Sequence, residues 1–343
     1  MTDQTPIGAG LSSLCPDSAN EREREDLEAV LCTERASLAS SRFFATIRGM
    51  KRHDLTRWYA ALLMTAVLGV MAAQSSAEAP GTLTVMTYNL KYASPNPPNS
   101  WPERRPLMKE VIGMVAPDVL GTQEGLYSQL QDMAADLPGY QWIGLGRDGG
   151  SRGEFMAVFY RRARLEPLAF DHFWLSDTPE VMGSKTWGPK LPRMVTWVKF
   201  RDRETKGEFI FMNTHFDHQV QEAREKSARL VRERAGRLDP ALPLLLVGDF
   251  NANAGANKAY DILTGDQFFS DTWTKAREQR NGEFGSLNGF KGLQKGGPRI
   301  DWILSRGEVE TDRAEILTFA REGQFPSDHC PVVAKLRPGS GKR

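Results

Sequence analysis

Cysteine is almost absent: Cys15, Cys32 and Cys330 are the only three in 343 residues. Two of them precede the apolar run described below. The rest of the chain therefore cannot close an internal disulfide and depends on its core. No Cys-x-x-Cys pair occurs, and His172, His215, His218 and His329 are too scattered for a helical zinc motif, which argues against a soft-metal site. An excess of either charge is lacking as well. The formal net charge is +1, with 25% charged and 40% hydrophobic side chains, so neither a polycationic surface nor wholesale disorder is indicated. There is no internal repeat, and no low-complexity block beyond Pro95–Pro98, which reads as a loop.

What is present starts with an address. After a polar stretch, residues 1–49, come the basic Lys51 and Arg52, an apolar run from Trp58 to Ala73, and small residues up to Ala79. Together residues 50–79 have the form of a secretory signal peptide, and the run is short for a membrane span, which needs about 20 apolar residues. Its internal position suggests that translation starts at Met50 and that residues 1–49 are a misassigned extension. The alternative is a true polar tail with a signal anchor left in the inner membrane. The expected location is periplasmic or secreted. Residues 80–338 read as one continuous domain, followed by a short tail at 339–343.

Within that domain, strand-like runs recur at Leu83–Tyr88, Val119–Thr122, Met156–Tyr160, Val195–Phe200, Phe209–Asn213, Leu244–Val247, Ile300–Leu304 and Val332–Leu336. Arg104–Val115 and Val220–Leu238 carry apolar residues at helical spacing. Strands mixed with helices in irregular order suggest an α/β sandwich of two sheets flanked by helices. Trp142, Trp174, Trp187, Trp197, Trp273 and Trp302 are assigned to the core rather than to a stacking platform.

Polar residues sit where the apolar runs stop. Val85–Asn89 ends on Asn89, Val119–Glu124 on Glu124, and Phe209–His215 on His215, with Asp217 and His218 just beyond. Leu244–Asn251 closes on Asp249 and Asn251, Asp301 lies inside Arg299–Leu304, and Ser327, Asp328 and His329 precede the last strand. Each alone reads equally well as a turn or a helix cap. Six such sites in one domain are hard to explain as independent caps. Strand ends are rigid neighbours, which is what a catalytic constellation needs. Oxygen donors without cysteine suit Mg²⁺ or Mn²⁺, and imidazoles beside carboxylates can move protons near neutral pH.

The ordered set Thr87–Leu90, Gln123–Glu124, Asn213–His218, Gly248–Asn251, Arg299–Asp301 and Ser327–Val332 resembles the endonuclease/exonuclease/phosphatase superfamily over nearly all of residues 83–337. The resemblance implies a four-layer αββα sandwich, two packed mixed β-sheets flanked by helices, and a Mg²⁺-dependent (or Mn²⁺-dependent) hydrolase of phosphate esters. It implies Glu124 as the main metal ligand with Asn89 beside it and Asp328 as a further metal-site carboxylate. Asp249 and Asn251 would position the attacking water and the phosphate. His329 would contact the scissile phosphate with its imidazole held by Asp301, and His215 would stabilise the phosphate or act as leaving-group acid. Exported bacterial members are similar in Trp101–Arg105, Phe173–Ser176 and Leu191–Trp197. In that pattern Arg193 is expected to bind substrate phosphate, while Asn288 and the Trp101–Arg105 segment are expected at the substrate rim.

The first expectation for substrate is nucleic acid or a nucleotide, by analogy with the superfamily. A lipid, inositol or sugar phosphate is the alternative. No long basic insertion for gripping DNA is present, and Phe268–Phe269, the sole candidate for an apolar lipid-facing loop, is explained as well by core packing. No stable protein partner is implied, and a monomer is expected. The rival of another class is a catalytically dead binding module. Its mark would be a lost metal or histidine position, and none is lost.

Overall fold

Alternation along the strands decides the layers. A computed structural model describes residues 79–339; the expectations for residues 1–49, the export segment and the C-terminal tail lie outside them, Ala79 and Gly339 apart. The strands are β1 (Leu83–Asn89), β2 (Val119–Gln123), β3 (Tyr140–Ile143), β4 (Val158–Arg161), β5 (Leu165–Trp174), β6 (Met194–Asp202) and β7 (Glu208–His215). They continue with β8 (Leu244–Asp249), β9 (Ser270–Asp271), β10 (Glu278–Arg280), β11 (Asp301–Arg306), β12 (Val309–Ile316) and β13 (Val332–Pro338). The helices are α1 (Trp101–Val115), α2 (Tyr127–Asp136), α3 (Gln221–Gly236), α4 (Lys258–Thr264) and α5 (Thr272–Lys275). None of the described helices is long and apolar enough to cross a membrane.

Two mixed sheets result, ordered β10-β12-β13-β1-β2-β4-β3 and β5-β6-β7-β8-β11-β9. Successive strand side chains point to opposite faces. Leu83, Val85, Phe209, Phe211, Leu245, Val247 and Ile303 accordingly form the core between the sheets. Their neighbours Ile210, Met212, Leu244, Leu246 and Trp302 pack with Ala228, Val231 and Ala235 of α3. On the other outer face Met86, Tyr88 and Leu120 pack with Met108, Val111 and Ile112 of α1. The expected sandwich is therefore the one found. At Gly121 the sheets come so close that a Cβ there would lie 2.5 Å from Val247 Cγ2 and 2.9 Å from Asn213 Cγ.

One expectation is corrected, and one open alternative is decided. Trp101–Arg105 is not a rim loop but the first turn of α1, where Glu103 accepts from the Ser100 backbone N–H at 2.8 Å and a proline sits at the helix start. Phe269 is buried in the outer core and Phe268 packs against the same cluster, so neither forms a lipid-facing loop. The tryptophans assigned to the core are there, buried or packed against it.

Candidate active site

The parity that fills the core also loads the site. Continuing each inward series by steps of two gives Asn89 after Val85, Gln123 after Val119, His215 after Phe211, Asp249 after Leu245 and Val247, and Asp301 next to Ile303. Strand register then sets His215 beside Asp249 and Asp249 beside Asp301. A buried amide layer joins the sheets just below: Gln123 Nε2 donates to Asn213 Oδ1 at 2.7 Å, and Asn213 Nδ2 donates to Thr122 O at 2.8 Å.

Asn89 Nδ2 donates to Glu124 Oε1 at 3.0 Å and to Asp249 Oδ2 at 2.9 Å, while its Oδ1 accepts from the Lys91 N–H. Asn89 was expected beside the metal; its oxygen accepts one bond from the chain, and its amide nitrogen aims the two carboxylates. The Lys91 ammonium stands 3.1 Å from Asp328 Oδ2 and 3.9 Å from Glu124 Oε2. Burial lowers the Lys91 pKa, but those two carboxylates outweigh it and the net direction is up. Lys91, Glu124 and Asn251 all adopt positive φ, at 53°, 61° and 48°, a conformation that bulky residues keep only where their surroundings enforce it.

The enforcing group for Lys91 is Arg104, fully buried in α1. Its guanidinium makes five hydrogen bonds, all to backbone carbonyls: Asn99, Leu90, Pro326, Lys91 and Tyr92. It thus ties the loop after β1 to the segment that leads into Ser327–His329. Asn288 supports the same segment from the other side. It is 3% exposed, its Nδ2 donates to Ser327 O at 3.0 Å, and its Oδ1 accepts from Phe290 N. That placement differs from the expected rim position, because both ends of the amide are already bonded.

The two site imidazoles are in opposite states. His329 Nδ1–H donates to Asp301 Oδ2 at 2.9 Å, and Nε2 lies 3.8 Å from Asp249 Oδ2. Burial works against its charge, but Asp301 and Asp249 prevail and its pKa is pushed up to about 10. His215 is held well below its ordinary value by burial and by the Arg193 and Arg147 charges. Asn251 Nδ2 donates to His215 Nε2 at 3.0 Å, which leaves the neutral ring's proton on Nδ1. Burial and the neighbouring Asp301 raise Asp249 to about 7. Arg193 lies beside this group, 3% exposed, donating from Nη2 to His218 Nδ1 at 3.0 Å.

The donor set fits a hard divalent cation. Glu124, His215 and Asp249 present ligand atoms within 4.8 Å of one another, as do Asp249, Asp301 and His329. His215 Nε2 lies 3.4 Å from Asp249 Oδ2, but its one lone pair already accepts from Asn251 Nδ2, so the carboxylates of Glu124 and Asp249 are the donors left for a cation. Asp301 Oδ1 is buried without a hydrogen-bond partner. Sequence reasoning missed Lys91 and Arg104. The signal for Arg104 was available, since it shares the apolar stripe of Leu107, Met108 and Val111.

Two mixed sheets with carboxylates, amides and imidazoles on their facing strand ends define a phosphoesterase sandwich. The chain belongs to the endonuclease/exonuclease/phosphatase family, which it matches over residues 86–329; members of this superfamily are phosphoesterase hydrolases. It is 36% identical to a family protein of Bacteroides thetaiotaomicron, with a TM-score of 0.70, covering 75% of this chain and 95% of that one. It is 36% identical to a mannosyl-6-phosphatase of B. thetaiotaomicron VPI-5482, with a TM-score of 0.69, covering 74% of this chain and 99% of that one. Among curated proteins it is 29% identical over 163 residues to the uncharacterised protein L388 of Acanthamoeba polyphaga mimivirus, spanning 45% of this chain and 60% of that relative's length.

Proposed function

We propose that this protein hydrolyses the phosphate ester of a small phosphorylated carbohydrate by attack of water, with Mg²⁺ or Mn²⁺ held by Glu124, Asp249 and Asp328. The row His215–Asp249–Asp301 with His329 bonded to Asp301 carries the reading. The bound cation supplies neutralisation of charge developing on the phosphoryl oxygens. Asp249, a ligand of that cation, is placed to hold the attacking water beside it. Asn251, whose N–H bonds Asp249 Oδ1 at 2.9 Å, fixes the orientation of that carboxylate. His329, kept protonated by Asp301 and Asp249, offers Nε2–H to the phosphoryl group and to the departing alkoxide. His215 is held below its ordinary value, and with Nε2 accepting from Asn251 it offers no proton to a leaving group; it orients the Asn251 amide beside the site.

A sugar phosphate takes precedence over nucleic acid for two reasons. The 36%-identical Bacteroides protein is a mannosyl-6-phosphatase, and the net charge of +1 provides no basic track for a polynucleotide. The test is turnover of mannose 6-phosphate, single-stranded DNA and sphingomyelin by wild type and His329→Ala in Mg²⁺. Loss of hexose phosphate turnover in the variant supports the reading; DNA as the preferred substrate would overturn it. The segment between Met50 and Ala79 supports action outside the cytoplasm. A mature N-terminus at or before Met50 would sink that part.

A further inference from the structure

Two arginines beside the site carry buried donors that make no hydrogen bond within the described chain. Arg193 and Arg147 are 3% and 5% exposed. Arg147 is closed off by a fork-to-fork pair with Glu154, at 2.6 and 3.0 Å. Arg193 has no such mate. The nearest carboxylate oxygen, Asp217 Oδ2, is 3.6 Å from Nε, an ion pair that is too long for a hydrogen bond. Arg193 Nε and Nη1, together with Arg147 Nε, are buried with no hydrogen-bond partner. Buried guanidinium N–H groups are seldom left unmatched, and two like charges packed together add to the cost.

Chain connectivity brings both groups to the catalytic row. Arg193 immediately precedes β6, whose Val195 is in register with Thr214, the neighbour of His215. Arg147 follows Gly146, which bridges Phe155; Phe155 in turn bridges Gly125, the neighbour of Glu124. The electrostatics agree, since Arg193 is the strongest charge acting on His215 and is itself drawn by Asp249. A phosphomonoester has one more unesterified oxygen than a diester and one more negative charge. With other oxygens facing the cation and His329, that extra oxygen needs a donor of its own.

We propose that Arg193, backed by Arg147, is an anion subsite for the extra oxygen of a dianionic terminal phosphoryl group, and that it makes the protein select monoesters over diesters. This rests on the phosphoesterase reading above and specifies its substrate class. Arg147, held by Glu154, orients and charges the pocket, and Arg193 makes the contact.

The experiment compares wild type, Arg193→Met and Arg193→Lys in Mg²⁺ with two readouts. One is calorimetric affinity, at a pH above the second ionisation of the phosphonate, for methylphosphonate, there a dianion that cannot be hydrolysed, and for dimethyl phosphate. The other is the ratio of kcat/KM for p-nitrophenyl phosphate to that for bis(p-nitrophenyl) phosphate. Arg193→Met is expected to weaken methylphosphonate binding and to lower the ratio by about tenfold to a hundredfold, the worth of one or two charge-assisted hydrogen bonds. Arg193→Lys should fall between, having the charge without the fork. Methylphosphonate affinity and ester ratio within about twofold of wild type would overturn the proposal. Should Arg193→Met not fold, the wild-type protein decides. It should bind methylphosphonate at least about tenfold tighter than dimethyl phosphate, and equal binding would overturn the subsite. Arg193-dependent binding by a protein that hydrolyses no ester would leave the subsite standing and sink the phosphoesterase reading. Ester hydrolysis with Arg193-independent binding would do the reverse.

Discussion

Arg104→Met should damage stability and the metal site together. The substitution keeps most of the apolar stem but removes the donor from five backbone carbonyls. The bonds to Leu90 O and Pro326 O, at 2.7 and 2.9 Å, are wholly buried, so those acceptors have no water to turn to. Leaving a buried acceptor unmatched costs about 1–3 kcal/mol. The Asn99, Lys91 and Tyr92 carbonyls are only part-buried and recover some hydration. A total loss of about 2–5 kcal/mol follows. The positive φ of Lys91 would lose its support, and relaxing that strain is worth about 1–3 kcal/mol. The loop should therefore move, taking Lys91 away from Asp328 and Glu124. Urea denaturation measures the first effect and Mn²⁺ binding by electron paramagnetic resonance the second. A lower midpoint with Mn²⁺ affinity reduced about tenfold is expected, as for loss of an outer-shell support. A stability change under about 1 kcal/mol with unaltered Mn²⁺ binding would refute the role assigned to Arg104.

Gly121→Val should destabilise the fold by about 1–3 kcal/mol through overpacking, since even a Cβ there meets Val247 Cγ2 at 2.5 Å; an unchanged melting temperature would contradict the sheet spacing. Asp301→Asn removes the negative charge beside His329 Nδ1, so kcat/KM should fall about a hundredfold to ten-thousandfold and the alkaline limb of the pH–rate profile should move to lower pH. An unmoved limb would mean that His329 is not the group titrating there. In metal-free protein, His329 has a folded pKa raised from 6.5 to about 10. Its contribution to stability is therefore complete below 6.5 and is lost as pH rises through about 10. Denaturation midpoints across that range should decline in wild type and lose this slope in His329→Gln; parallel curves would contradict the assignment.

Much of this molecule is readable along the chain because the strands that bear the site are apolar throughout. β1, β7, β8 and β11 are buried at almost every position. A polar residue at the end of such a run stands out, which is why Asn89, His215, Asp249 and Asp301 could be selected and why they prove to be neighbours. β5 escaped notice because it is exposed along its middle and contains Pro167, and β12 because charged residues interrupt its alternation. Asn288 was placed at a rim as part of a loop, whereas here its amide pins a neighbouring loop. Lys91 was silent for another reason. Its importance comes from two carboxylates 33 and 237 residues away in sequence, Glu124 and Asp328, and no local pattern announces such a contact.

The most direct test is phosphate release from mannose 6-phosphate as EDTA-stripped protein is titrated with Mg²⁺, wild type beside Glu124→Gln. Turnover that is absent without metal, rises to saturation in wild type and needs at least about tenfold more Mg²⁺ in the variant is the predicted result. Undiminished turnover after stripping, or coincident curves for the two proteins, would contradict a metal-dependent phosphoesterase centred on Glu124 and Asp249.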